Sequence, residues 1–339
     1  MFKVPVRIAL IGMGNVGRSF LDLLVKKREK LRNRFNLSPK IIGIFEYDGA
    51  LIKDDGIDLE ELFAKGKNFR ELPYWNQNIT AKDKLSDLGL DVCIETTPTN
   101  HETGEPAVTH ILTALNNGIN VIASNKGPFY LRHKEIKELA EKKGCIVRYE
   151  ATVASCVPIL AAKDDLIGND IISIKAILNG TCNYILSRMT SEGISFSIAL
   201  KEAQELGYAE TDPTLDIEGY DAAGKLVILA NEFFGWTKSI KDVKIKGITH
   251  ITPQAIELAK ADGFVIKHLA IVEDGHLIVE PRLIDRLSPL NIGGTLNVIE
   301  IQTRYAGPMI FMGRGAGGYE AASALLNDLI YIVRNKKIS

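Results

Sequence analysis

The sequence predicts an α/β protein in two parts: a mostly parallel sheet with crossover helices, then a mixed α+β second part. Three observations carry this. Short β-rich runs alternate with helical runs over the first 150 residues. A glycine-rich turn follows the first of those runs directly. Beyond it, later strands follow one another without helices between them, which suits antiparallel pairing. The 339-residue length allows two domains at about 150 residues each.

In chain order, β-rich runs fall at 6–11, 40–45, 91–95, 119–123 and 145–149, with helical stretches at 15–34, 104–117 and 131–143 between them. Strands separated by helices imply right-handed crossovers. Asn117-Gly118 and Lys143-Gly144 have the character of helix stops, each just before a strand. Residues 48–84 are polar and irregular and read as an insertion, with a short helix expected at 58–65. Then come a helix at 157–166, a strand at 171–178, helices at 182–192, 196–206 and 221–234, and a short helix at 253–261. Strands at 264–272, 276–283 and 296–304 follow, and the segment 308–333 reads as a short strand, a glycine-rich loop and a helix.

Composition excludes several classes. The chain is 46% hydrophobic, so it can build a core. Its 41 basic and 42 acidic residues nearly cancel, whereas nucleic-acid binding leaves a basic surplus. No apolar run approaches the roughly 18 residues of a membrane span. The opening MFKVPVRIALIG leads straight into glycines and is no secretory signal. Cys93, Cys145, Cys156 and Cys182 are widely spaced, without a CxxC pair, which argues against a disulfide scaffold or a zinc module. The expectation is a soluble, cytoplasmic protein with no nucleic-acid or membrane partner.

Gly12, Gly14 and Gly17 form G-x-G-x-x-G between the strand VRIALI and a helix, the setting in which this pattern binds a dinucleotide. Gly12 makes the tight turn, Gly14 leaves room for a pyrophosphate, and Gly17 lets helix and strand approach. Asn15 and Val16 open the helix, whose N-terminal N–H groups attract phosphate. The second strand ends in Phe45-Glu46-Tyr47-Asp48. Either Glu46 or Asp48 can bind a ribose 2′-hydroxyl, and a carboxylate there repels a 2′-phosphate, so NAD is preferred over NADP. Thr96 and Thr97 follow the strand at 91–95 and Lys126 follows that at 119–123; ligands of open α/β sheets bind beyond such carboxyl ends.

A second signal is YAETDPTLDIEGYDAAGK, residues 208–225, with Glu210, Asp212, Asp216, Glu218 and Asp221 ahead of Lys225. Crowded carboxylates raise one another's pKa unless a cation joins them, and a bound ammonium group is such a cation. Asp221 and Lys225 stand four apart and share a helix face. A lysine there can donate a proton to a carbonyl oxygen; the competing reading is a solvated acidic loop with a surface ion pair. In Asn179-Gly180-Thr181-Cys182-Asn183, Gly180 permits a close approach and Thr181 can cap a helix or bind a carboxylate. Cys182 has no neighbouring histidine in sequence and reads as a packing residue.

These features, in this order, resemble homoserine dehydrogenase over nearly the full chain: GMGNVG, SNKGP, EATVASCVP, NGTCNYIL and YAETDPTLDIEGYDAAGK. The resemblance implies a Rossmann-type nucleotide-binding domain, residues 1–150 completed by 305–339, and a mixed α+β catalytic and dimerisation domain, residues 151–304. It implies NAD(P)-dependent, reversible reduction of L-aspartate 4-semialdehyde to L-homoserine, on the route to threonine, methionine and isoleucine, by a homodimer. It assigns Lys225, Lys126 and Asp221 to catalysis, and Glu210, Asp216, Tyr208, Gly180 and Thr181 to the substrate. It places Gly12, Gly14, Asn15, Val16, Gly17, Glu46, Thr96, Thr97, Lys126 and Gly317 at the cofactor. Glu150, Val153 and Ser155 match a turn that binds Na+ or K+ in some members, although Ser155-Cys156 departs from the usual small residues there. With Ser339 as the last residue, the regulatory ACT domain of longer members is not expected. The competing readings are a related amino-acid dehydrogenase with another semialdehyde or keto acid, and a non-catalytic NAD-binding regulator.

Overall fold

The computed structural model describes residues 4–335, which separate into two compact units. One takes in residues 4–152 and 317–335; the other is Val153–Ala316. Among the described residues, no helix is long and apolar enough to cross a membrane.

The first unit is built on a seven-stranded sheet. Its strands are β1 (Val4–Ile11), β2 (Leu37–Glu46), β3 (Gly49–Ile52), β4 (Trp75–Gln77), β5 (Val92–Glu95), β6 (Asn120–Ala123) and β7 (Val147–Arg148), in the order β4-β3-β2-β1-β5-β6-β7. β1, β2, β5, β6 and β7 pair in parallel, as the alternation of strands and helices predicts. The order reverses between β1 and β5, so their carboxyl ends flank the crevice where open α/β sheets bind ligands.

Residues 48–84 are more regular than expected. β3 and β4 extend the sheet as antiparallel edge strands. The expected short helix forms over Leu59–Lys65, with Asp58 accepting from the N–H groups of Glu60 (2.9 Å) and Glu61 (3.2 Å). These strands are too short to carry a periodicity of their own; their form comes from pairing, β3 with β2 and β4 with β3. The single helix expected at 15–34 is two, Asn15–Lys26 and Arg28–Phe35, broken at Lys27 (φ −105°, ψ 9°).

The core lies where Phe20, Leu21 and Leu24 of the first helix meet Ile8 and Leu10 of β1 and Leu325, Leu329 and Ile332 of the last helix, Gly318–Asn335. That last helix is pinned by Asp328, 2% exposed, which accepts from Arg148 Nε (3.0 Å) and the Glu150 backbone N–H (3.1 Å).

The second unit holds a six-stranded sheet: β8 (Ile171–Ile177), β9 (Val243–Ile245), β10 (Phe264–Glu273), β11 (His276–Asp285), β12 (Leu296–Thr303) and β13 (Gly307–Arg314). Its order is β13-β12-β8-β10-β11-β9. β10–β11, β10–β8, β12–β8 and β12–β13 pair antiparallel, and β9 pairs parallel to β11. Residues 305–316 do not return to the first unit: β13 pairs along its whole length with β12, and the chain rejoins the first unit only at Gly317. A strand so fully hydrogen-bonded belongs to the sheet that satisfies its backbone.

Asp328→Ala leaves the largely buried Arg148 guanidinium without its counter-ion. We expect a loss of about 3 kcal/mol of stability, the scale for breaking one side of a buried ion pair, measured by equilibrium denaturant unfolding. An unchanged midpoint would show that this pair does not hold the last helix.

Candidate active site

In the first unit, the glycine turn follows from steric requirements. Gly12 has φ +89°, and a Cβ there would lie 3.0 Å from the Thr96 backbone. A Cβ at Gly17 would overlap the Gly12 carbonyl oxygen. Nothing stands within 4 Å of a Cβ at Gly14, which faces open space. The helix Asn15–Lys26 has no side-chain cap and no acid in its first turn. Its N-terminal N–H groups and dipole are thus left for an anion. Val16 is half-buried, and the Asn15 amide packs near Gly318. These residues fit a dinucleotide pyrophosphate.

The two acids at the end of β2 part company. Glu46 accepts from the Met13 backbone N–H through Oε1, and its Oε2 has no partner among the described residues. Asp48 is fully engaged by Arg70, whose Nε and Nη2 reach its two oxygens at 2.7 and 2.8 Å. Arg70 holds the Asp48 carboxyl below the usual carboxylate range. Of the two sequence alternatives, Glu46 is the acid with an oxygen to offer.

Thr96 and Thr97 stand at the end of β5, but their hydroxyls are used within the protein. Thr96 Oγ1 donates to the Gly12 carbonyl (2.6 Å) and so fastens the glycine turn. Thr97 donates its hydroxyl and its backbone N–H to Glu95, a fully buried carboxylate that also meets His110 Nδ1 at 2.7 Å. Asn125 ties the loops after β5 and β6 together, donating to the Pro98 carbonyl (3.1 Å) and accepting from the Gly127 N–H (3.1 Å). Lys126, half-buried, immediately follows it. Gly317 takes φ +132°, with Glu320 filling the place of a Cβ.

In the second unit a polar cluster forms where β8 gives way to the helix Gly180–Glu192. Asn179 caps that helix by accepting from the Cys182 N–H (2.8 Å). Its Nδ2 donates to Asp216 (2.6 Å) and Asp221 (3.0 Å) at once. Thr181 Oγ1 lies 2.8 Å from the Tyr208 carbonyl and 3.2 Å from Asp216. Lys225 Nζ contacts Asp221 (2.8 Å) and donates to the Leu178 carbonyl (2.8 Å), with only 13% of its side chain exposed. An ammonium carries three donors, so one N–H of Lys225 remains to donate. Gly180 is required because a Cβ would lie 2.9 Å from the Thr295 carbonyl.

Burial, reinforced by the charge of Asp221, raises the Asp216 pKa; Asn179, Lys225 and Thr181 oppose that rise. Asp216 and Asp221 together carry more negative charge than Lys225 cancels. Glu210 is exposed, as is Tyr208 at 46%, its ring centred 5.0 Å from that of Tyr184. Cys182 is fully buried and its thiol pushed well up by burial, as a packing residue should be.

Asn179, which bridges the two carboxylates, is the member of this cluster that the sequence does not single out. Its place before Gly180 at a strand–helix junction marks an N-cap, but nothing in the spacing reveals the two carboxylates it bridges. The matched cation turn is divided, with Glu150 in the first unit and Val153 and Ser155 in the second. Ser155 has φ 53°, and its buried hydroxyl has no partner among the described residues. Among those residues, no cluster of three or more His, Cys, Asp or Glu could hold a metal ion.

Comparison with known proteins places these features in a family. The homoserine dehydrogenase family profile matches residues 157–330. A homoserine dehydrogenase from Methanocaldococcus jannaschii is 46% identical, over 97% of this chain and 99% of its own length. The NAD(+)-dependent homoserine dehydrogenase of Pseudomonas canavaninivorans is 35% identical, over 96% of each. The crystal structure of a putative homoserine dehydrogenase from Archaeoglobus fulgidus superposes with a TM-score of 0.89 at 39% identity, covering 96% of this chain and 99% of that one. With its glycine turn, its two sheets and its Lys225 cluster all within the matched length, the chain belongs to the homoserine dehydrogenase family.

Proposed function

We propose that this chain catalyses the reversible, NAD(P)-dependent reduction of L-aspartate 4-semialdehyde to L-homoserine, on the route to threonine, methionine and isoleucine. The first unit serves the cofactor, and the second serves the substrate and dimerisation. When bound, the nicotinamide exchanges hydride with the substrate carbon. Gly12, Gly14 and Gly17, with the open helix end at Asn15 and Val16, hold the pyrophosphate; the backbone after Thr96 and Thr97, Lys126 and Gly317 complete the cofactor site. Glu46, with one oxygen unpartnered among the described residues, takes the ribose 2′-hydroxyl, which supports NAD over NADP.

The observation that carries the reaction is the remaining N–H of Lys225. Its other two hydrogen bonds fix the ammonium in place, so the third direction is preset for a carbonyl oxygen. As negative charge develops on that oxygen, the ammonium stabilises it and delivers the proton. Asp221 orients Lys225. Asp216, Asp221 and Glu210 receive the substrate's own ammonium, whose positive charge these carboxylates attract. Tyr208, Gly180 and Thr181 shape the pocket around it, and Lys126 acts on the reacting end.

Two features belong to the same proposal. The partnerless hydroxyl of Ser155 supports a monovalent cation, Na+ or K+, at the turn that includes Glu150 and Val153. The edge strand β13 leaves Ile310 (42%) and Met312 (57%) exposed, which supports a homodimer formed by the second unit.

Lys225→Ala should lower semialdehyde reduction by at least ~10²-fold, the lower end for general acid catalysis; near-normal turnover in steady-state assays removes Lys225 from the mechanism. Succinate semialdehyde, which lacks the ammonium group, should be a poor substrate, and efficient reduction of it would overturn the pocket assignment. The raised pKa of Asp216 puts an acid limb in the kcat/KM–pH profile above the ordinary carboxylate range, because substrate binding needs the ionised form. Asn179→Ala removes a hydrogen bond that favours that form, so the limb should move to still higher pH; a limb that stays in place would mean that Asp216 does not bind substrate.

A further inference from the structure

The pair Asp48–Arg70 has no part in the chemistry above, yet it stands at the strand end that receives the cofactor ribose. Arg70 grips Asp48 with two parallel hydrogen bonds of 2.7 and 2.8 Å. Its guanidinium lies over the rings of Phe69 (4.5 Å) and Trp75 (5.3 Å), which pack edge to face. Phe69 is 3% exposed, so this aromatic platform is fixed. Arg18 lies over the same ring at 5.8 Å and donates through Nε to the Met13 carbonyl (3.1 Å) inside the glycine turn. Arg70 is therefore held within the neighbourhood of Glu46, Tyr47 and Asp48, and it feels the negative charge of the two carboxylates. Both members of the pair remain partly open to solvent, Arg70 at 36% and Asp48 at 30%.

We propose that Asp48 sets cofactor choice by occupying Arg70, a guanidinium otherwise placed to bind a ribose 2′-phosphate. The proposal rests on the reading that the end of β2 lies at the adenosine ribose. A guanidinium fork matches phosphate as well as carboxylate. With Asp48 present, Glu46 and Asp48 outweigh Arg70, and the site repels a 2′-phosphate while Glu46 accepts a 2′-hydroxyl. Without Asp48 the fork is released onto a rigid platform, and the charge balance no longer opposes the phosphate.

Calorimetric dissociation constants for NAD+ and NADP+ test this on the full chain, with thermal unfolding as a check on folding. Asp48→Ala should tighten NADP+ binding at least about tenfold, the effect of one charge-assisted hydrogen bond gained. Asp48→Ala/Arg70→Ala should abolish that gain. No gain in the single variant overturns the proposal, as does a gain that persists in the double variant, because then only the loss of a negative charge matters. Glu46→Gln tests the underlying reading separately: weakened NAD+ binding supports the ribose placement. With that placement supported, an unresponsive Asp48→Ala overturns the Arg70 assignment alone. Unchanged NAD+ binding in Glu46→Gln and no gain in Asp48→Ala would overturn both.

Discussion

Two carboxylates withdrawn from water around a single ammonium are the constraint on which the second unit turns. Asp216 and Asp221 lie close enough to share the Asn179 amide, and Lys225 is paired with Asp221. Such a cluster is costly to keep charged. The fold offsets this with hydrogen bonds to Asp216 from both Asn179 and Thr181, and with the Lys225 pair on Asp221. One amide and one ammonium thus join the cluster: Asn179 bridges the two carboxylates, and Asp221 holds Lys225.

The first unit solves a different problem, the close approach of backbones. Gly12, Gly17 and the Thr96 backbone meet at distances that admit no side chain. This compactness aims the N-terminus of the helix Asn15–Lys26 at open space beside Gly14. Thr96 commits its hydroxyl to the Gly12 carbonyl, and Thr97 commits its own to buried Glu95. Both threonines matter to the site by fixing the loops around it. A hydroxyl at the end of a strand signals a position, and only its partners reveal whether it faces inward or toward a ligand.

Parts of the fold were legible because local rules decide them. The parallel strands carry their own apolar runs, Asp58 announces a helix start, and Gly144 provides the left-handed cap before β7. β3, β4 and β9 were missed because strands of three or four residues show no period; partner strands give them their form. The break at Lys27 was hidden by a continuous run of helix-favouring residues. The resemblance groups residues 305–316 with the first unit, whereas the pairing of β13 with β12, which no local pattern encodes, puts that strand in the second sheet.

By itself the sequence determined whatever depends on short spacing. Three glycines after a strand dictate a tight turn into a helix N-terminus, and an interval of four dictates that Asp221 and Lys225 meet on one helical face. Tertiary structure decided every choice among equivalent residues. It gave Asp48 to Arg70 while leaving one Glu46 oxygen without a partner among the described residues, and drew Asp216 inward while leaving Glu210 exposed. It made Asn179 the link between carboxylates 37 and 42 residues away. The backbone's periodicity fixes neighbours within a turn or two; partners that far apart are set by how the elements pack, and the free energy of burying their charges decides which of them pair.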